Sequence, residues 1–80
     1  MNGYLVHLEE MLEHARRLRE EMERGDERAG WYLVLLARHW AQTRSRMLQE
    51  PYNENVSARV SELTRAFVRI LKGEADTREE

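Results

Sequence analysis

Eighty residues make one domain, and a chain this short buries only roughly 60–65% of its unfolded surface, so long helices or self-association must supplement the core. There is no cysteine, which excludes disulfides, thiolate zinc sites and a cysteine nucleophile. Charged residues make up 35% and nearly cancel, to −2, and the longest apolar run, Trp31 to Ala37, is far short of the ~20 residues a membrane span needs.

The first element is a helix over about residues 3–24. Tyr4, Leu8, Met11, Ala15, Leu18 and Met22 recur at alternating steps of four and three, one stripe of an α-helix, widened by Leu5 and Leu12. Asn2 is the expected N-cap. Gly25 then supplies a residue that tolerates positive φ, and Asp26 caps the second helix. So short a turn sends that helix back antiparallel.

The second helix is expected over about residues 27–49, ended by Pro51, which disfavours helix in the residue before it. Its core stripe is Ala29, Leu33, Leu36, Trp40, Thr43 and Met47. The third helix, over about 56–72, carries Val56, Val60, Leu63, Phe67 and Ile70, with Leu71 alongside. Asn53 or Asn55 caps it and Gly73 ends it. Residues 74–80 are a charged tail that frays. The fold class is therefore all-α: an antiparallel three-helix bundle forming one domain over residues 1–73.

The second helix carries more apolar surface than two neighbours require. Trp31 to Ala37 is apolar around the whole cylinder, so with Leu33, Leu36 and Trp40 inward, Trp31, Val34 and Leu35 point elsewhere. Ala41 and Leu48 continue that second stripe from Val34 at successive intervals of seven, with Arg38 among them. A helix apolar on two sides is normally buried on two sides. Two arrangements satisfy it: a second copy of the chain completes the bundle as a homodimer through helix 2, or helices 1 and 3 wrap helix 2 widely. The dimer is favoured, because two-fold symmetry lets one patch serve both partners. Leaving each of these side chains wet forfeits roughly 1.5–3 kcal/mol. An unidentified protein partner would use the same face.

Charge is unevenly spread. Residues 1–37 carry five basic and eight acidic groups, residues 38–72 seven basic and three acidic, and residues 73–80 one basic and four acidic. Twelve of the thirteen basic residues are Arg, a bias shared by GC-rich genomes and thermophiles. Arg44, Arg46, Arg65, Arg69 and Lys72 form the candidate phosphate or nucleic-acid contacts, since the planar guanidinium binds phosphate bidentately. Against this stand a pI near 5.9 and the acidic first helix, which offers the same Arg residues pairing partners.

His7, Glu10 and His14 share a side of helix 1, but the two histidines are about 10 Å apart along its axis, too far for one ion. His39 has no nucleophile or orienting carboxylate in a triad-like context. No cofactor, metal site or catalytic residue is therefore expected. Arg24-Gly25-Asp26 reads as a helix joint, and Asn55-Val56-Ser57 is a glycosylation acceptor only in a secreted protein. The start, Met1-Asn2-Gly3-Tyr4, has no basic leader, which predicts a soluble cytoplasmic protein. The sequence thus points to a non-enzymatic interaction or assembly module, an adaptor or regulatory subunit that self-associates through helix 2. The alternative is a nucleic-acid-binding regulator using the Arg-rich 38–72 region.

Overall fold

The computed structural model describes residues 3–49 and 54–74 and consists there of three helices, α1 (Gly3–Glu23), α2 (Glu27–Met47) and α3 (Glu54–Lys72). The joint between the first two is set by residues chosen for it. Gly25 has φ 105°; its N–H donates to the Met22 carbonyl, and the Asp26 N–H donates to the Glu21 carbonyl, both at 3.0 Å. This pair of bonds is the Schellman termination, and it satisfies carbonyls that the helix itself leaves open. The Asp26 carboxylate in turn accepts the Arg28 N–H at 2.9 Å and caps α2. The glycine device also ends α3: Gly73 has φ 77°, its N–H donates to Ile70, and the Glu74 N–H donates to Arg69.

The helix boundaries differ from the sequence expectation at α2 and α3. α2 stops at Met47, because the Gln49 N–H donates to the Arg46 carbonyl and tightens the chain into a short-range turn. α3 begins at Glu54, so Asn55 lies within the first turn and is not the cap. Its acidic first residue suits the positive end of the helix dipole. The Asn2 and Asn53 caps, the Pro51 stop and most of the tail fall outside the described residues.

Four contacts fix the topology. His7 meets His39, and Met22 lies against Gly30, so α2 runs antiparallel to α1. Arg59 reaches Glu9, and the Arg19 guanidinium lies against Gly73, so α3 runs parallel to α1. The order is up, down, up. α1 packs along both other helices, burying Leu8, Met11, Leu12, Ala15 and Leu18. α2 contributes Ala29, Leu33, Trp40, Thr43 and Met47, and α3 contributes Val60, Leu63, Phe67 and Ile70. The heptad stripes read from the sequence are thus the core stripes. Leu71, expected alongside the α3 stripe, lies partly open at the edge.

α2 and α3 are joined by an aromatic pair. Trp40 stacks on Phe67 with ring centroids 4.3 Å apart and planes 8° from parallel. The indole N–H donates to the Thr64 hydroxyl at 3.2 Å, so the ring is buried without stranding its donor. Beyond the area buried, such a pair is worth about 0.5–1.5 kcal/mol. Phe67→Ala should therefore lower unfolding stability by about 3–5 kcal/mol, whereas Thr64→Val should lower it by about 1 kcal/mol. Urea denaturation followed by circular dichroism measures both. A smaller loss for Phe67→Ala than for Thr64→Val would contradict this packing.

Candidate interaction surface

With its core stripe turned to α1 and α3, α2 leaves the opposite arc uncovered. Trp31 is 73% exposed, Val34 and Leu35 54% each, and Leu48 69%. Arg38 and Ala41 are exposed between them. All six residues expected to form an interface therefore lie on one free face. The wrapping arrangement is not what the chain adopts, because α1 rather than α2 is the helix with neighbours on both sides. A single layer of α1 and α3 side chains cannot reach round to the far side of α2.

This face is continuous with a groove of about 570 Å³. Met22 of α1, Gly30, Leu33, Ala37 and Ala41 of α2 and Leu71 of α3 form its apolar walls, with Val34 shared between groove and stripe. Gly30 leaves room at the groove floor: a Cβ there would fall 3.2 Å from the Met22 sulfur, so the Met22 side chain would have to shift by a few tenths of an ångström to admit one. Arg19 and Arg38 stand at the rim. Arg19 is tied down by Glu23, its Nε–H donating at 3.3 Å, whereas Arg38 has no hydrogen bond or ion pair among the described residues.

The sequence pattern did not disclose the groove. Leu71 is one residue off the stripe of α3, and Ala37 and Gly30 are too small to stand out. The one available signal was Gly30 itself, since glycine inside a helix costs about 1 kcal/mol relative to alanine and is tolerated where something packs close.

The basic residues do not converge. Arg44 and Arg46 lie in the last turn of α2, Arg69 and Lys72 in the last turn of α3. Because these helices run antiparallel, the two pairs sit at opposite ends of the bundle, about 30 Å apart, with Arg65 between. All five are exposed. Arg59, by contrast, is engaged: it donates to Glu9 of α1 at 2.9 Å and to Glu62 at 2.6 Å. These hydrogen bonds, Glu9 first, raise its pKa above the ordinary guanidinium value. The acidic first helix thus holds one basic residue of α3, Arg59.

His7 finds its partner across the helix interface rather than along its own helix. Its Nε2 lies 2.8 Å from Nε2 of His39, with the ring centroids 5.0 Å apart and the planes at 80°. At that separation one ring donates its N–H and the other accepts. Two nitrogens bound to one tetrahedral ion would instead stand about 3.3 Å apart, with lone pairs converging on a common point. Among the described residues no three His, Asp or Glu side chains are grouped to hold a metal, and no helix is long and apolar enough to cross a membrane.

Comparisons with protein-family models, with curated proteins and with solved structures found no match.

Because Trp31 and Leu35 are largely exposed within their own chain, Trp31→Gln and Leu35→Gln should change the stability of the dilute protein by no more than about 0.5 kcal/mol. Urea midpoints at low concentration test this. A loss above about 2 kcal/mol would mean that both side chains belong to the chain's own core.

Proposed function

We propose that this chain is a non-enzymatic interaction module, an assembly or adaptor unit that self-associates through the free face of α2. The observation carrying this reading is the exposed stripe from Trp31 to Leu48, which merges with the groove beside Val34. Contiguous apolar surface of this kind is rare on monomers and marks interaction sites. It also combines an aromatic anchor, aliphatic neighbours and an Arg, the aromatic and Arg being residue types enriched in interface centres.

The nucleic-acid reading has less support, because its basic residues lie at two ends of the bundle and offer no single strip that a phosphate backbone would follow. Catalysis has no constellation to argue from, the His7–His39 pair being satisfied by its own hydrogen bond.

Light scattering coupled to size exclusion tests the proposal. The chain should elute at twice its mass or more over a concentration range in which Trp31→Glu and Leu35→Glu are monomeric, with helical content unchanged. A charge placed in a desolvated interface costs several kcal/mol, so the dissociation constant should rise by at least about a hundredfold. A monomer at every concentration for the unaltered chain would remove self-association from the reading.

A further inference from the structure

Away from the apolar stripe, one pair of side chains has the chemistry of a ligand set. His7 and His39 come from different helices, 32 residues apart in sequence, and the packing of α1 on α2 brings their Nε2 atoms to 2.8 Å. We propose that this pair is a metal clamp, in which one divalent ion of the zinc or copper type takes the place of the proton between the rings and staples α1 to α2. The clamp lies within one chain and needs no self-association.

The donors fix the class of ion. Imidazole nitrogen suits zinc, copper and nickel, whereas magnesium and calcium take oxygen ligands. With Nε2 atoms 2.8 Å apart and ring centroids 5.0 Å apart, the two nitrogens lie between the rings and face each other nearly head-on. Two nitrogens on one tetrahedral ion stand about 3.3 Å apart, so the pair must open by only about half an ångström. Each ring must also swing by roughly 35° for the lone pairs to converge at the tetrahedral angle. The broad χ2 well of histidine permits that, and solvent gives it room, since His39 is exposed and His7 half-buried.

The protons balance without loss. In the hydrogen-bonded pair one ring carries its proton on Nε2 and donates it, while the other carries its proton on Nδ1 and accepts. Ligation takes both Nε2 lone pairs, so the donating ring shifts its proton to its own Nδ1 by way of water, and both rings stay neutral. Among the described residues no third His, Asp or Glu is grouped with the pair. Water therefore fills the remaining positions, and the ion stays exchangeable and open to a further ligand.

Because the rings belong to different helices, the unfolded chain does not present them together, and binding is coupled to the pairing of α1 with α2. The clip also closes a long loop, far from the Gly25 joint, where a cross-link restricts the unfolded chain most. Thermal unfolding of the untagged, chelator-treated chain, followed by circular dichroism, reads this coupling. About 100 µM Zn²⁺ or Cu²⁺ should raise the midpoint by about 5 °C, and Mg²⁺ should not. His7→Gln and His39→Gln should each abolish the rise with helical content unchanged. His14→Gln, exposed on α1 alone, should retain it.

A midpoint that neither zinc nor copper moves would overturn the clamp. So would a rise that survives His7→Gln or His39→Gln, which would put the ion elsewhere, or one lost in His14→Gln, which would place it along α1. Light scattering on the same samples separates one chain from two. A mass that metal leaves unchanged supports the clamp, whereas a mass that rises with metal in the unaltered chain but not in His7→Gln would mean that the ion joins copies rather than helices.

Discussion

A helix presents its neighbours a limited arc, and in this chain α1 divides its arc between two partners. Leu8, Met11, Leu12, Ala15 and Leu18 form a band wide enough to receive α2 on one side and α3 on the other. α2 and α3 are left to meet across a narrower front, where Trp40 stacks on Phe67 and donates to Thr64. This sharing produces both the order of the bundle and its incompleteness. α1 is covered on two sides, and α2 on little more than one, although α2 is the helix with apolar residues all round.

The turns make that geometry obligatory. Gly25, at φ 105°, and Asp26 reverse the chain within a few residues, so α2 has no freedom to choose another neighbour. The pairing runs outward from the same joint: Met22 meets Gly30 close to the turn, and His7 meets His39 towards the far end of α1. The His7–His39 hydrogen bond and the Arg59–Glu9 ion pair then tie α1 to α2 and α3 at the end where α1 begins. The ion pair is half-exposed, and surface ion pairs contribute at most about 1 kcal/mol. Such contacts orient the helices more than they stabilise them. The core and the stacked pair carry the stability, and the apolar face that remains is available for association.

Much of this was written in the residue spacing. Alternating steps of three and four located all three helices and the residues they bury, and two glycines marked two of their ends. The second stripe, Trp31, Val34, Leu35, Ala41 and Leu48 with Arg38 among them, emerged from the same periodicity, and its exposure in the folded chain agrees. Other features depend on where helices pass one another, which periodicity does not encode. It was not apparent that α1 rather than α2 would be the doubly packed helix, that Leu71 would lie at a groove edge, or that His7 would turn to His39 rather than share a role with His14. Nor did the count of basic residues in 38–72 reveal that antiparallel packing separates Arg44 and Arg46 from Arg69 and Lys72. Single-residue shifts such as Asn55 falling inside α3 rather than capping it belong with the ordinary fraying of helix ends.

The two tryptophans offer the most direct test of the central claim, that α2 is half core and half open face. Hydroxyl-radical footprinting read by mass spectrometry reports each indole separately across a dilution series. Trp40, stacked and 3% exposed, should stay protected at every concentration. Trp31 should react fully when the protein is dilute and become protected as concentration rises. Modification of Trp31 that is independent of concentration would contradict association through this face, and modification of Trp40 at the rate of Trp31 would contradict the fold itself.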